Sequence, residues 1–184
     1  GNGGWDFLEV NPTNHFIYAS HSDKVNIINP ETSMSEGIIE NQNGVHGITF
    51  DNENRGYITN GKSNMVYVFD VKTNEKITEI KVGTKPDAII FDKFSGKIIV
   101  ANAGSNDLSI INPKNFKVEK TIKLSGNPEV LVTNLKGKIF VNIEDQSKIA
   151  EINVKTGKVL NYFFLGKDTG PTGLEIKIKK LLIF

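Results

Sequence analysis

The chain repeats itself about every 41 residues, and that period constrains its fold more than any other feature. Four segments share a short apolar stretch ending in a small or polar residue: Phe16–Ser20, Gly56–Asn60, Ile98–Asn102 and Ile139–Ile143. Their ends lie 40, 42 and 41 residues apart. A second landmark lies upstream, at Trp5-Asp6, His46-Gly47, Pro86-Asp87, Pro128-Glu129 and Pro171-Thr172, with spacings of 41, 40, 42 and 43. Two landmarks that keep one period define a structural repeat.

Within a unit the apolar residues alternate, which indicates strands. In the second unit Ile48 and Phe50 alternate with Gly47 and Thr49; Tyr57-Ile58, Val66–Phe69 and Ile77/Ile80 follow. Turn residues separate them at Asp51–Asn54, Asn60–Asn64 and Lys72–Asn74. Four short antiparallel strands in about 40 residues are the signature of a propeller blade. Such a sheet buries its faces only by packing on its neighbours around an axis. A sandwich would not need the fixed register, and a solenoid usually has a shorter repeat. The expected fold is therefore all-β: a β-propeller of four four-stranded blades plus the start of a fifth. Residues 1–184 form one unit, with blades at approximately 4–43, 44–82, 83–124, 125–165 and a partial 166–184. The first strand of each blade should lie nearest the axis.

Composition excludes several functions. The chain has no cysteine, so disulfides, thiolate nucleophiles and Cys-ligated zinc are ruled out. No apolar run is long enough to span a membrane as a helix. Net charge is +1, and of 22 basic residues only Arg55 is arginine, which argues against nucleic acid as a partner. Phe140, Phe163, Phe164, Tyr67 and Phe69 read as blade-packing residues rather than as a base-stacking surface.

The second-strand ends Tyr57-Ile58-Thr59-Asn60 and, more loosely, Ile99-Val100-Ala101-Asn102 resemble the Tyr-Val-Thr-Asn motif of the YVTN-type, YncE-like seven-bladed propellers. Gly83-Thr-Lys-Pro-Asp87 and Ser125-Gly-Asn-Pro-Glu129 look like that family's opening of the inner strand, and Thr156-Gly157-Lys158 like its last turn. Two units depart from the pattern: Phe140-Val141-Asn142-Ile143 displaces the asparagine, and Tyr18-Ala19-Ser20 lacks it. The asparagine reads as a builder of its own turn. The resemblance implies a seven-bladed ring of about 290 residues, so this chain is expected to be a fragment of one. Its end, Leu174–Phe184, reads as apolar, compressed and unpaired, as in a truncated or frame-altered product.

The mouth of the central channel is the place for a site. Asp6, Asp87 and Glu129 occupy matching positions in three units and could ligate a hard cation such as Ca²⁺ through oxygen, or bond loop amides and Lys85. His46 falls where the other units carry Trp5, Pro86, Pro128 and Pro171. It is the candidate catalytic residue, as general base or metal ligand; the alternative is a loop hydrogen bond. Trp5 could stack on a ligand or pack under the first blade. The candidate ligand-binding set is therefore Trp5, Asp6, His46, Asp87 and Glu129. His15 and His21 fall in turns.

The leading expectation is a non-enzymatic scaffold that binds a protein or a small molecule at the channel mouth. The resemblance implies export to the periplasm or cell exterior. The alternatives are a lactonase-like hydrolase or lyase with a metal or histidine at the mouth, and an accessory propeller domain of a redox enzyme. No cofactor is expected beyond a divalent cation such as Ca²⁺.

Overall fold

The computed structural model describes residues 4–167, 170–177 and 180–183. Alternating β-branched and aromatic residues give short strands, and Asn, Ser and Gly turns with positive φ reverse the chain between them. The first sheet contains β1 (Trp5–Val10), β2 (Ile17–His21), β3 (Lys24–Asn29) and β4 (Met34–Ile39). The second contains β5 (Val45–Phe50), β6 (Arg55–Asn60), β7 (Met65–Asp70) and β8 (Lys76–Lys81). The third contains β9 (Pro86–Asp92), β10 (Lys97–Asn102), β11 (Asp107–Asn112) and β12 (Lys117–Lys123). The fourth contains β13 (Pro128–Thr133), β14 (Lys138–Ile143), β15 (Lys148–Asn153) and β16 (Lys158–Phe164). Each is an antiparallel meander in chain order. The first strands touch in succession: β1 on β5, β5 on β9 and β9 on β13, so they line one axis. The fold is a β-propeller, as the repeat predicts. Among the described residues the only helical turn is 3₁₀, at Glu144–Gln146, and no helix is long and apolar enough to cross a membrane.

Three apolar clusters hold the arc together, one at each blade boundary. Tyr18, Val25 and Ile27 pack on Ile48, Phe50 and Phe69 between the first and second blades. Tyr57, Val66 and Val68 meet Ile89, Ile98 and Val100 at the next boundary. Ile99, Leu108 and Ile110 meet Leu131, Ile139 and Val141 at the third. At the first boundary the Tyr18 and Phe50 rings meet edge to face, 4.8 Å apart. Phe69 lies so close over Gly56 that a Cβ there would fall 2.0 Å from its ring. Burial between sheets, rather than within one, explains why no single repeat is a folding unit.

Several expectations change. Leu174–Lys177 (β17) pairs with Lys180–Ile183 (β18) as a hairpin, so the end segment is not unpaired; residues 178, 179 and 184 lie outside the described set. β17 adjoins β13, and Asn142 Nδ2 donates to Gly173 O at 3.1 Å. Phe69 is buried, but Phe163 and Phe164 sit exposed on β16, where the Lys148 ammonium lies 4.9 Å over the Phe164 ring. His21 is not in a turn; it ends β2 and is buried. The single arginine is structural. Arg55 Nε donates to Asp51 Oδ2 at 2.7 Å, and Asp51 also accepts from the Tyr57 hydroxyl.

The motif asparagine does not build its own turn. Asn60 reaches back to the link between blades: its Oδ1 accepts from Asn43 N at 3.1 Å and its Nδ2 donates to Gln42 Oε1 at 2.9 Å. Asn102 instead bonds Asp107 and Ser109 on β11. The left-handed turn positions belong to the later residues Asn64 and Asn106, with φ of 60° and 53°.

Candidate functional site

The inner strand of each of the four four-stranded blades carries a β-bulge at the same place. The ladder between β1 and β2 skips from Trp5 to Leu8; those between β5 and β6, β9 and β10, and β13 and β14 skip from Val45 to Ile48, Pro86 to Ile89 and Pro128 to Leu131. The first skipped residue is Asp6 in the first blade, His46 in the second, Asp87 in the third and Glu129 in the fourth. All four are titratable. A bulge frees a side chain from the strict alternation of the strand and re-aims it, and bulges concentrate beside functional sites. Four successive blades thus present one acid or base each to the same end of the axis.

This register corrects the sequence alignment by one residue. His46 does not match Pro86 and Pro128; it matches Asp87 and Glu129, so it joins the carboxylates. The signal was present downstream. Asn11, Asp51, Asp92 and Asn134 each lie five residues beyond the bulge residue and each accept main-chain N–H groups of the following turn.

The side chains meet. His46 Nδ1 lies 2.7 Å from Asp6 Oδ2 and 3.9 Å from Asp87 Oδ1. The short contact suits Nδ1 as the donor to the carboxylate, and in the neutral ring of that tautomer Nε2 is the acceptor. His46 can take this position because residue 61 is glycine: a Cβ there would fall 2.9 Å from Nε2. Gly47 serves the backbone, since a Cβ there would lie 2.7 Å from Asp87 O and 2.9 Å from Ile89 N. Thr59 fastens this close approach, donating to Asp87 O at 2.6 Å and accepting from Gly47 N at 2.8 Å.

The electrostatics follow first from burial and then from the crowding of like charges. Burial, then the carboxylates of Asp87, Glu144 and Asp6, push the Glu129 carboxyl up to about 7, and His46 opposes them. Burial raises Asp87 as well; His46 works against that rise, while Asp6 and Glu144 add to it. Glu144 opens the 3₁₀ turn, immediately after β14, and was not singled out from the sequence. Nothing in its local sequence marks it; its place depends on the fold.

One ligand atom each of Asp6, His46 and Asp87 can be chosen so that all lie within 4.8 Å of one another, a spacing from which a divalent cation could be held with small shifts. Glu129 is not in that set, so the geometry replaces Glu129 of the expected carboxylate trio with His46 as the better-placed donor. A depression of about 520 Å³ is lined by Asp6, His46 and Asp87 together with Trp5, Lys62 and Lys85; Glu129 lies outside that lining. Trp5 is 61% exposed and lies flat on the buried His21 ring, centroids 4.2 Å apart at 5°. It therefore does not pack under the first blade.

Residues 19–169 match the family model described as glutamine cyclotransferase. The chain belongs to the glutamine cyclotransferase family. The match takes in His46, Asp87 and Glu129 and begins after Asp6. No curated protein matches in sequence. Among solved structures, the virginiamycin B lyase of Staphylococcus aureus, a catalytically inactive H270A form with quinupristin, is similar over 99% of this chain at 14% identity, TM-score 0.86. The hydrazine synthase of Kuenenia stuttgartiensis is similar over 92% at 17% identity, TM-score 0.81. This chain spans 63% and 50% of those chains, respectively. At such identities the likeness concerns the fold, and it supports the propeller without adding a role for any side chain. The YVTN-type resemblance of the motifs is carried only as far as the propeller.

Proposed function

We propose that the channel mouth is an acid–base site that cyclises an amino-terminal glutamine, with His46 and Glu129 moving the protons. The observation that carries this reading is the convergence of Asp6, His46, Asp87 and Glu129 from one bulge position in four blades, with the Glu129 carboxyl poised at about 7. The family gives the reaction class. In such a cyclisation the α-amino nitrogen attacks the γ-carboxamide carbon, a new C–N bond forms, the old C–N bond breaks and ammonia leaves. A substrate ammonium must first shed one proton to water; the attacking amine then loses a second, and the departing nitrogen gains one to leave as ammonia.

The residues suit those needs. The carboxylates of Asp6 and Asp87 attract the substrate ammonium to the mouth. His46, oriented through Nδ1 by Asp6, offers Nε2 as the base that takes a proton from the amine. Glu129 is half protonated near neutrality and supplies a proton to the leaving nitrogen; an acid whose pKa matches the working pH does this best. No metal is needed for this sequence of steps. The scaffold function expected from sequence draws no support from family membership, and titratable groups gathered at one mouth favour chemistry over simple docking.

The test is ammonia release and pyroglutamate formation from glutaminyl peptides at pH 7, followed by mass spectrometry. The wild-type chain should convert them. His46→Ala and Glu129→Gln should each lower kcat about 10²–10⁴-fold, the usual contribution of one proton-transfer group. Conversion by both variants at wild-type rates would remove the reading.

A further inference from the structure

The depression at the cluster holds both signs of charge. Its lining carries Asp6, Asp87 and His46 together with Lys62 and Lys85. Both lysines are exposed, and among the described residues no ion pair or hydrogen bond engages either ammonium. Neither lysine is there by chance of a loose loop. The Lys62 stem runs across Gly44, where a Cβ would meet its Cγ at 2.9 Å; Gly44 has φ of +72°. Lys85 holds a left-handed backbone, φ 49°, with its N–H on Asn64 Oδ1 at 2.8 Å and its carbonyl accepting from Ala103 N at 2.9 Å. The Lys62 stem and the Lys85 backbone thus keep two cations in the same lining as the carboxylates.

We propose that this mouth selects short peptides with both termini free, the amino terminus on the Asp6/Asp87 side and the carboxylate terminus on Lys62 and Lys85. This rests on the cyclisation reading and narrows its substrate class to dipeptides and tripeptides. A substrate ammonium satisfies the carboxylates, and a terminal carboxylate satisfies the lysines through charge-assisted hydrogen bonds. The depression, about 520 Å³, is of small-molecule size. The exposed face of Trp5 offers an apolar platform for the side chain after the first residue. A long chain or a protein terminus places its carboxylate outside a depression of this size and forgoes the lysine contacts.

The test reads binding rather than turnover, so it separates this proposal from the catalytic one. Norvalyl-phenylalanine has the glutamine stem without the amide and cannot cyclise by ammonia loss. Calorimetric titration at pH 7 should show the free acid binding about tenfold more tightly than its carboxy-terminal amide. In the Lys62→Ala/Lys85→Ala double variant that preference should shrink to within twofold. N-acetylation of the peptide should weaken binding to both forms of the protein. The proposal is overturned if acid and amide bind wild type equally, if neither binds, or if the preference survives in the double variant. Retained selectivity for the acid, with no ammonia released from glutaminyl peptides, would sink the cyclisation reading and keep the peptide site.

Discussion

The Thr59 hydroxyl donates to the main-chain oxygen of Asp87 at 2.6 Å, across the boundary between the second and third blades. Thr59 Oγ1 itself accepts from Gly47 N, so one side chain joins the two bulges that carry His46 and Asp87. Thr59→Val keeps the shape, removes the donor and strands a buried N–H. It should cost about 1–3 kcal/mol, the usual penalty for an orphaned buried polar group. Thr59→Ser retains the hydroxyl and should recover most of that loss. Urea denaturation of both variants checks this, and equal stability of Val and wild type would show that the link is dispensable.

Gly61 decides where the His46 ring lies. A methyl group at residue 61 would fall 2.9 Å from both Cδ2 and Nε2 of that ring. The obstructed atoms belong to the end of a half-exposed side chain, so the ring moves and the backbone stays. Gly61→Ala should therefore lower kcat at least tenfold while shifting Tm by less than about 2 °C, within the range of a surface substitution. A large fall in Tm would mean that the glycine serves the fold instead.

Glu129 ties the site to pH-dependent stability. Its folded-state pKa, about 7, lies above the ordinary glutamate value of about 4.3. The folded state therefore holds the proton more tightly than the unfolded state does. That stabilisation is complete below the unfolded value and fades as pH rises through about 7. Burial raises Asp87 in the same direction. Glu129→Gln keeps the neutral form at every pH. It should match wild type near pH 4.5 and exceed it at pH 8 by on the order of 1 kcal/mol, after solvent screening is allowed for. Thermal melts of the two proteins across that range measure the difference. A parallel pair of curves would count against a raised carboxyl. The same variant is expected to lose activity, a cost often met at sites that hold like charges together.

Much of this architecture was legible because strands announce themselves through alternation and turns through Asn, Gly and Asp. Val66–Phe69 and the two 41-residue landmarks suffice for the blades. The site was half legible. Asp6, Asp87 and Glu129 stood out as a periodic set, but His46 was set one position away because prolines at 86 and 128 drew the alignment. A bulge leaves no mark in composition, and the turn between the first two strands varies in length, so counting from Asn60 or Asn102 cannot restore the register. Glu144 was invisible, since only the antiparallel pairing of β13 with β14, which sets Ile143 opposite Pro128, brings it toward Glu129. The role of Asn60 was misread for the same reason: its partners, Asn43 and Gln42, lie 17 and 18 residues away.

The central claim is that the four bulge residues form one electrostatically connected site. The most direct measurement is a carboxyl ¹³C NMR titration of Glu129 in wild type and in Asp87→Asn, a change that removes one neighbouring negative charge. The account predicts a midpoint near 7 in wild type and a clear fall in the variant. A midpoint near the ordinary 4.3, unmoved by Asp87→Asn, would contradict it.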